Sequence, residues 1–350
     1  MKKTAMCLQS DVQDHNPDSM KKQLLLVLLC FCVASSVQSQ KSDPVYLKVQ
    51  EDKDRVEVFM DGELFTVYRF EESLEKPVLY PIHAPDGTIV TRGFPIAARA
   101  GERVDHPHHV GLWFNFGDVN GFDFWNNSYA VPKERKEDYG RIIHREIEQA
   151  ESKGGKGYLK VKMDWVAPDA EHYENLLREN TWYIFSVIEG SRVVDRITSL
   201  TAMATKVVFT DNKEGMFAIR VDRAFELPED SDNEGVTGWY LNSEGDEGPD
   251  AWGKNARWVR LSGTKEGSTC SLIMMDHPQN VSYPACWHAR GYGLFSVNNL
   301  GRRVYNREHE KFQLVLKKGD TLTLRHRFVV ATGKTPRQEV EALFEDFISE

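Results

Sequence analysis

From Pro44 onward the apolar residues recur at every second position, and turn dipeptides interrupt them at short intervals. Val56, Val58 and Met60 alternate with polar neighbours, Asp61-Gly62 supplies a turn, and Phe65 and Val67 resume the alternation. Successive strand side chains point to opposite faces, so this pattern buries one face and wets the other. With Asp-Gly at its centre it is a hairpin signature. A second turn is expected at Pro85-Asp86-Gly87-Thr88. Strand-like runs then recur at 140–147, 158–166, 181–188, 193–205, 206–210, 216–221, 256–261, 271–275, 293–297, 312–316 and 321–332. Helical periodicity longer than about three turns appears only at the end of the chain. There Thr335-Pro336 opens a segment whose Val340, Leu343, Phe344 and Phe347 share one face, which predicts a terminal helix covering a sheet edge or face. Many strands, short turns and one helix predict an all-β fold, a large antiparallel β-sandwich. Residues 171–180 fit a strand or a helical turn, and the acidic 226–250 stretch reads as a disordered insertion or a cover over a site.

The start of the 350-residue chain reads differently. Met20-Lys21-Lys22 precedes the apolar run Leu24–Ala34, and small and polar residues follow to Ser39 and Gln40. A basic region, a short apolar core and a small-residue cleavage site define a secretory signal peptide, too short to anchor in a bilayer. The expected organisation is an N-terminal extension and leader over residues 1–39, cleaved near Ser39. One β-sandwich domain over 40–350 follows, periplasmic or secreted, with no membrane span once the leader is removed. The net charge of −9 becomes −10 for the mature part. No basic stripe is present to neutralise phosphates, which argues against nucleic acid as a partner. Cys270 and Cys286 are the cysteines beyond the leader; they fit a disulfide or two buried thiols equally.

Chemistry concentrates in Asp105-His106-Pro107-His108-His109-Val110-Gly111-Leu112-Trp113-Phe114, continuing through Asp118 and Asp123 to Trp125. Imidazoles and carboxylates serve proton transfer or metal binding, and indole faces stack on sugar rings. If the segment is extended, His106 and His108 share one face and His109 points the other way. That spacing suits two ligands of a divalent metal, a proton shuttle with its orienting partner, or a bend fixed by backbone carbonyls. Asp118 and Asp123 bracket an Asn-Gly turn, which they either cap or flank as ligand contacts. Trp113 and Trp125 are core residues or ligand platforms.

Two further windows carry candidates. Glu214 precedes Gly215 at the mouth of an apolar strand, where a carboxylate can approach a ligand. His288 stands beside Trp287 and could complete a histidine cluster with the first window. Arg92, before Gly93-Phe94-Pro95, and Arg220, within an apolar strand, call for carboxylate partners.

Several segments together resemble a known family: 77–81, 91–95, 105–114, 117–125, 140–145, 211–220 and 283–301. They are similar to the exported bacterial domain family labelled "methane oxygenase PmoA", a family without an established function, across most of residues 45–348. A literal methane mono-oxygenase is a membrane protein, and no mature stretch here could span a bilayer. Members tend to lie near genes of glycan use, and the layout is similar to the galactose-mutarotase-like super-sandwich. That similarity implies a histidine and a carboxylate moving protons on a sugar, a role that falls on His106, His108, Glu214 and His288. Arg92, His109, Trp113, Asp118, Asp123, Trp125, Arg220 and Trp287 become candidate substrate contacts. The expectation is a periplasmic carbohydrate-active protein, an epimerase, lyase or glycoside hydrolase acting on a sugar or oxidised glycoside. The alternatives are a non-catalytic glycan-binding accessory protein and a metal-dependent enzyme using His106 and His108.

Overall fold

A computed structural model describes residues 44–168, 173–230 and 234–349. The leader expected over residues 1–39 lies outside them. The first five strands are β1 (Val45–Gln50), β2 (Arg55–Met60), β3 (Glu63–Arg69), β4 (Val78–Ile82) and β5 (Leu112–Phe116). Then come β6 (Arg141–Lys153), β7 (Lys156–Pro168), β8 (Tyr173–Ile188), β9 (Ser191–Ala202), β10 (Lys206–Thr210) and β11 (Gly215–Arg220). The last seven are β12 (Trp239–Asn242), β13 (Trp258–Lys265), β14 (Ser268–Asp276), β15 (Cys286–Trp287), β16 (Leu294–Asn298), β17 (Gln313–Lys317) and β18 (Thr321–Thr332), followed by helix α1 (Arg337–Ser349). Two eight-stranded sheets result, in the orders β1-β2-β3-β4-β5-β11-β16-β15 and β12-β13-β14-β18-β9-β8-β7-β6, with β10-β17 as a small ladder. All the named ladders are antiparallel.

The β2–β3 hairpin turns at Asp61 and Gly62, whose φ values of 51° and 83° are those of a type I′ turn. Between the sheets the inward residues interdigitate. Phe114 meets Trp165 edge-on at 6.2 Å, and Phe65 meets Phe185 at 6.4 Å. A charged pair lies in this layer. Arg196 pairs with Glu179, which also accepts from Trp165 Nε1 and Thr181 Oγ1. Burial of that pair is tolerated because the carboxylate oxygens are hydrogen-bonded.

Helix α1 covers a sheet face. Val340, Leu343, Phe344 and Phe347 pack on Val193, Trp258, Ile273, Met275 and Val329 of the second sheet. Arg327 of β18 pins the helix, bonding Asp195, Asp346 and the Leu343 carbonyl. The described parts of the acidic 226–250 stretch, 226–230 and 234–250, are built into the fold, which differs from the disordered alternative considered for it. They hold short turns at Pro228–Asp230 and Gly248–Ala251, and β12 pairs with β13. Residues 173–180 belong to β8, which settles strand over helical turn for them. Cys270 and Cys286 are both free and buried.

The outer face of the first sheet holds the candidate site. On β5, Leu112, Phe114 and Phe116 enter the core, and Trp113 turns outward. On β11, Phe217 and Ile219 point inward, and Ala218 lies outward. Arg220 follows on the outward parity. Past β15, Trp287 and Ala289 belong to the inner core, so His288 and Arg290 take the outward parity, and Tyr292 follows in the turn that leads into β16.

Candidate active site

The histidine segment is a turn, not the extended strand considered for it. His106 is left-handed at φ 44°, and His109 N donates to the His106 carbonyl. The geometry that would put His106 and His108 on one face and His109 on the other is therefore replaced by a cluster of all three rings. His109 lies parallel to His106 at 4.9 Å, and His108 meets His109 edge-on at 4.3 Å. His106 is in turn parallel to Tyr292 at 5.4 Å, and His109 to Trp113 at 5.4 Å. Trp113, His109, His106 and Tyr292 thus form one aromatic column rising from the sheet to the surface.

Two buried arginines fix the turn. Arg92 donates to the carbonyls of Arg103, Asp105, His106 and His109, and to Asp105 Oδ1. Arg220 donates to Asp105 Oδ1 at 2.8 Å and to His109 Nδ1 at 3.1 Å. Burial raises the Asp105 pKa, but the hydrogen bond with His106 and the charges of Arg220 and Arg92 outweigh it. The carboxylate stays well below the usual range. Asp105 Oδ2 faces His106 Nδ1 at 3.2 Å, which assigns that nitrogen the proton and turns the Nε2 lone pair outward. Burial holds His109 far below its ordinary pKa, with the charges of its neighbours adding to the effect, so it is neutral and accepts from Arg220.

Glu214 and His288 form a second pair, with Oε2 3.6 Å from Nδ1. Gly215, next in the chain, packs on the Phe116 ring, which a Cβ there would approach to 2.4 Å. Burial pushes the Glu214 carboxyl up, opposed by Lys213. Burial, reinforced by Arg290 and Lys213, pushes His288 down to about 3. His288 hydrogen-bonds the Lys213 carbonyl and its Nδ1 has no hydrogen-bond partner, so Nε2 is the donor and the Nδ1 lone pair faces Glu214. Once protonated, His106 is close enough for its charge to act on both Glu214 and His288, which joins the two groups in one field.

Other candidates lie elsewhere or beneath. Trp113, Trp125 and Trp287 are 2 %, 0 % and 0 % exposed, so they support the site from below and offer no platform to a ligand. His109 is likewise sealed under His106, and His108 is buried with its backbone carbonyl accepting from Lys76. Asp118 caps a turn through the Gly121 N–H, and Asp123 accepts from Trp125 N, Asn126 N and Asn126 Nδ2. Both carboxylates are spent on local structure. Among the described residues no three His, Cys, Asp or Glu side chains converge as a metal-ligand set. The histidine cluster also sits against Arg92, Arg220 and Lys76, a field that opposes a cation there.

Three contributors went unread in the sequence. Asp105 orients His106. Tyr292 caps the aromatic column, and the spacing His288-x-Arg290-x-Tyr292 is the signal that would have shown it. Lys76 is buried and donates to the His108 carbonyl; burial lowers its pKa to about 7, against the charges of Glu75 and Asp123.

Residues 55–345 match a family described as of unknown function, DUF6807, and the chain belongs to that family. The comparisons lend no support to the methane-oxygenase label. No curated protein matches the chain. It is similar to the galactosidase domain of an alpha-galactosidase–sucrose kinase, at 10 % identity and TM-score 0.39, covering 82 % of this chain and 41 % of that one. It is similar to heparan sulfate lyase HepC from Pedobacter heparinus, at 10 % and 0.36, covering 92 % and 43 %. It is also similar to a galactose mutarotase related enzyme from Lactobacillus acidophilus, at 10 % and 0.29, covering 84 % and 98 %. The chain spans less than half the length of the first two. Likenesses of this strength carry no weight for what the face binds, which has to come from its own residues. Among the described residues no helix is long and apolar enough to cross a membrane.

Proposed function

We propose that this protein is a carbohydrate-active enzyme. His106 accepts a proton from a bound sugar and Glu214 returns one. The reading is carried by one juxtaposition: an Asp105-oriented imidazole and a half-buried carboxyl beside a neutral histidine, on the same open face.

The roles follow from what each group holds. His106 Nδ1–H is directed at a carboxylate, so the imidazolium formed when Nε2 takes a proton is stabilised in place. Glu214 has its pKa raised by burial and faces a lone pair on His288, both of which favour the protonated acid. A base and an acid on one face can move a proton between two positions of a sugar, or assist departure of a glycosidic oxygen. The parallel rings of His106 and Tyr292 present an edge beside which a pyranose can lie. The face is fixed by Arg92 and Arg220 and supported by a core shared by both sheets, which fits a single domain over residues 40–350. The leader-like run Leu24–Ala34 supports action outside the cytoplasm.

The test is proton exchange. The protein is incubated in D2O with neutral, uronic and keto hexopyranosides, and ring C–H signals and bond cleavage are followed by NMR. Exchange or cleavage that falls at least about a hundredfold in Glu214→Gln and His106→Ala supports the reading. Binding without turnover, at affinities these variants keep, would replace it with a glycan-binding accessory role. No binding across the panel would remove both.

A further inference from the structure

We infer that the ligand of this face carries a carboxylate and that Arg290 is the residue that reads it. The inference rests on the proposed carbohydrate role and names the substrate class.

Arg290 follows His288 on the outward parity, and the turn after it brings Tyr292 alongside. Its guanidinium lies near two aromatic rings, 5.4 Å from the Tyr292 centroid and 5.7 Å from that of Trp252. Among the described residues no carboxylate comes within ion-pair distance, and its guanidinium makes no hydrogen bond. This sets it apart from the other arginines around the site. Arg92 and Arg220 share Asp105, Arg99 holds Glu102 and Asp222, and Arg103 holds Glu226. A half-buried guanidinium beside two aromatic rings keeps its charge and its in-plane donors for a partner.

Asp230 packs beside Gly291, yet among the described residues neither it nor any other carboxylate pairs with Arg290. Asp105 is committed to Arg92 and Arg220. Lys213 adds an exposed positive charge 3.4 Å from Glu214. Arg290 therefore faces the candidate catalytic groups with an unmet demand for negative charge. A planar carboxylate meets the guanidinium edge through two parallel hydrogen bonds, a match a hydroxyl cannot make. A uronic acid presents both the ring for the aromatic edge and the carboxylate for the fork.

The experiment is titration calorimetry with methyl glucuronoside, methyl galacturonoside and their primary amides. At least one acid is expected to bind wild-type protein about tenfold or more tighter than its amide. Arg290→Gln should bring acid and amide within about twofold, Arg290→Lys should keep part of the preference, and thermal unfolding should show both variants folded. Added salt should weaken the acid alone. Equal binding of acid and amide by wild-type protein, a preference untouched in Arg290→Gln, or no binding of either acid would overturn the inference. Glu214-dependent exchange on neutral sugars without acid preference would overturn this inference and leave the proposed function standing. Acid-selective binding without any exchange would do the reverse.

Discussion

Glu214 Oε2 stands 3.6 Å from His288 Nδ1, just beyond hydrogen-bond length, with the two groups shifted in opposite directions. Burial disfavours charge on both, which favours a protonated acid facing a neutral base. In this state the pair can part with a proton to a ligand without creating an isolated buried charge on the histidine.

The pH profile of turnover tests that state. Glu214 works as the acid, so the rate falls on the alkaline side as the carboxyl ionises, at a pH above the ordinary glutamate range near 4.3. Glu214→Gln removes this limb and lowers the rate by about a hundredfold to ten-thousandfold. A limb at the ordinary glutamate position would show that Glu214 is not held by its surroundings.

Arg92 is the keystone of the histidine turn, with four carbonyls and one carboxylate oxygen on two nitrogens. Arg92→Ala leaves buried acceptors unpaired and removes one of the two charges holding Asp105. The expected cost is about 3–5 kcal/mol. Arg92→Lys cannot restore the fork and should still expose the turn around residues 101–110 to limited proteolysis. Urea unfolding and protease mapping check both.

What the sequence made legible was local. Asp61-Gly62 needs only its own two residues to turn a hairpin, and Val340, Leu343, Phe344 and Phe347 declare their face by spacing alone. The density of imidazoles around His106 marked the right place. Its geometry did not follow, because the left-handed φ of His106 is imposed by Arg92 and Arg220, from a loop and from β11. Indoles near histidines look the same in sequence whether they line a site or lie under it. Trp113, Trp125 and Trp287 turn out to be the layer beneath. Tyr292 escaped notice because its partner His106 is distant in the chain, and Arg290 stood out only as a neighbour of His288, since Trp252 is distant too.

Gly215 tests whether placement of Glu214 matters separately from stability. A methyl group there meets Phe116 Cδ2 at 2.4 Å. Gly215→Ala should cost about 1–3 kcal/mol by overpacking and move the preceding carboxyl. Turnover at a temperature where the variant is fully folded should drop by about a hundredfold, because small displacements of a catalytic group are costly. Loss of stability with turnover intact would place Glu214 outside the chemistry.

Acid stability follows from the buried histidines, and the sign differs within one network. His326 donates from Nε2 to Asn299 Oδ1 and stacks on Phe217; burial lowers its pKa to about 3, with Arg196 adding. Its folded value lies below the unfolded value near 6.5, so its contribution is complete above that pH and is lost as pH falls towards 3. That loss is about 2 kcal/mol at pH 5. Asp276, 3.9 Å away, works in the opposite direction. Burial raises it to about 6, although Asn299 and Asn280 donate to it, so its contribution is present at acid pH and is lost as pH rises through 6. Between pH 7 and 5 it returns about 1 kcal/mol. Urea melts across this range should therefore show His326→Gln losing less stability on acidification than wild type, by about 2 kcal/mol. Asp276→Asn should lose more, by about 1 kcal/mol. Parallel slopes for all three proteins would mean that neither group changes its protonation on unfolding.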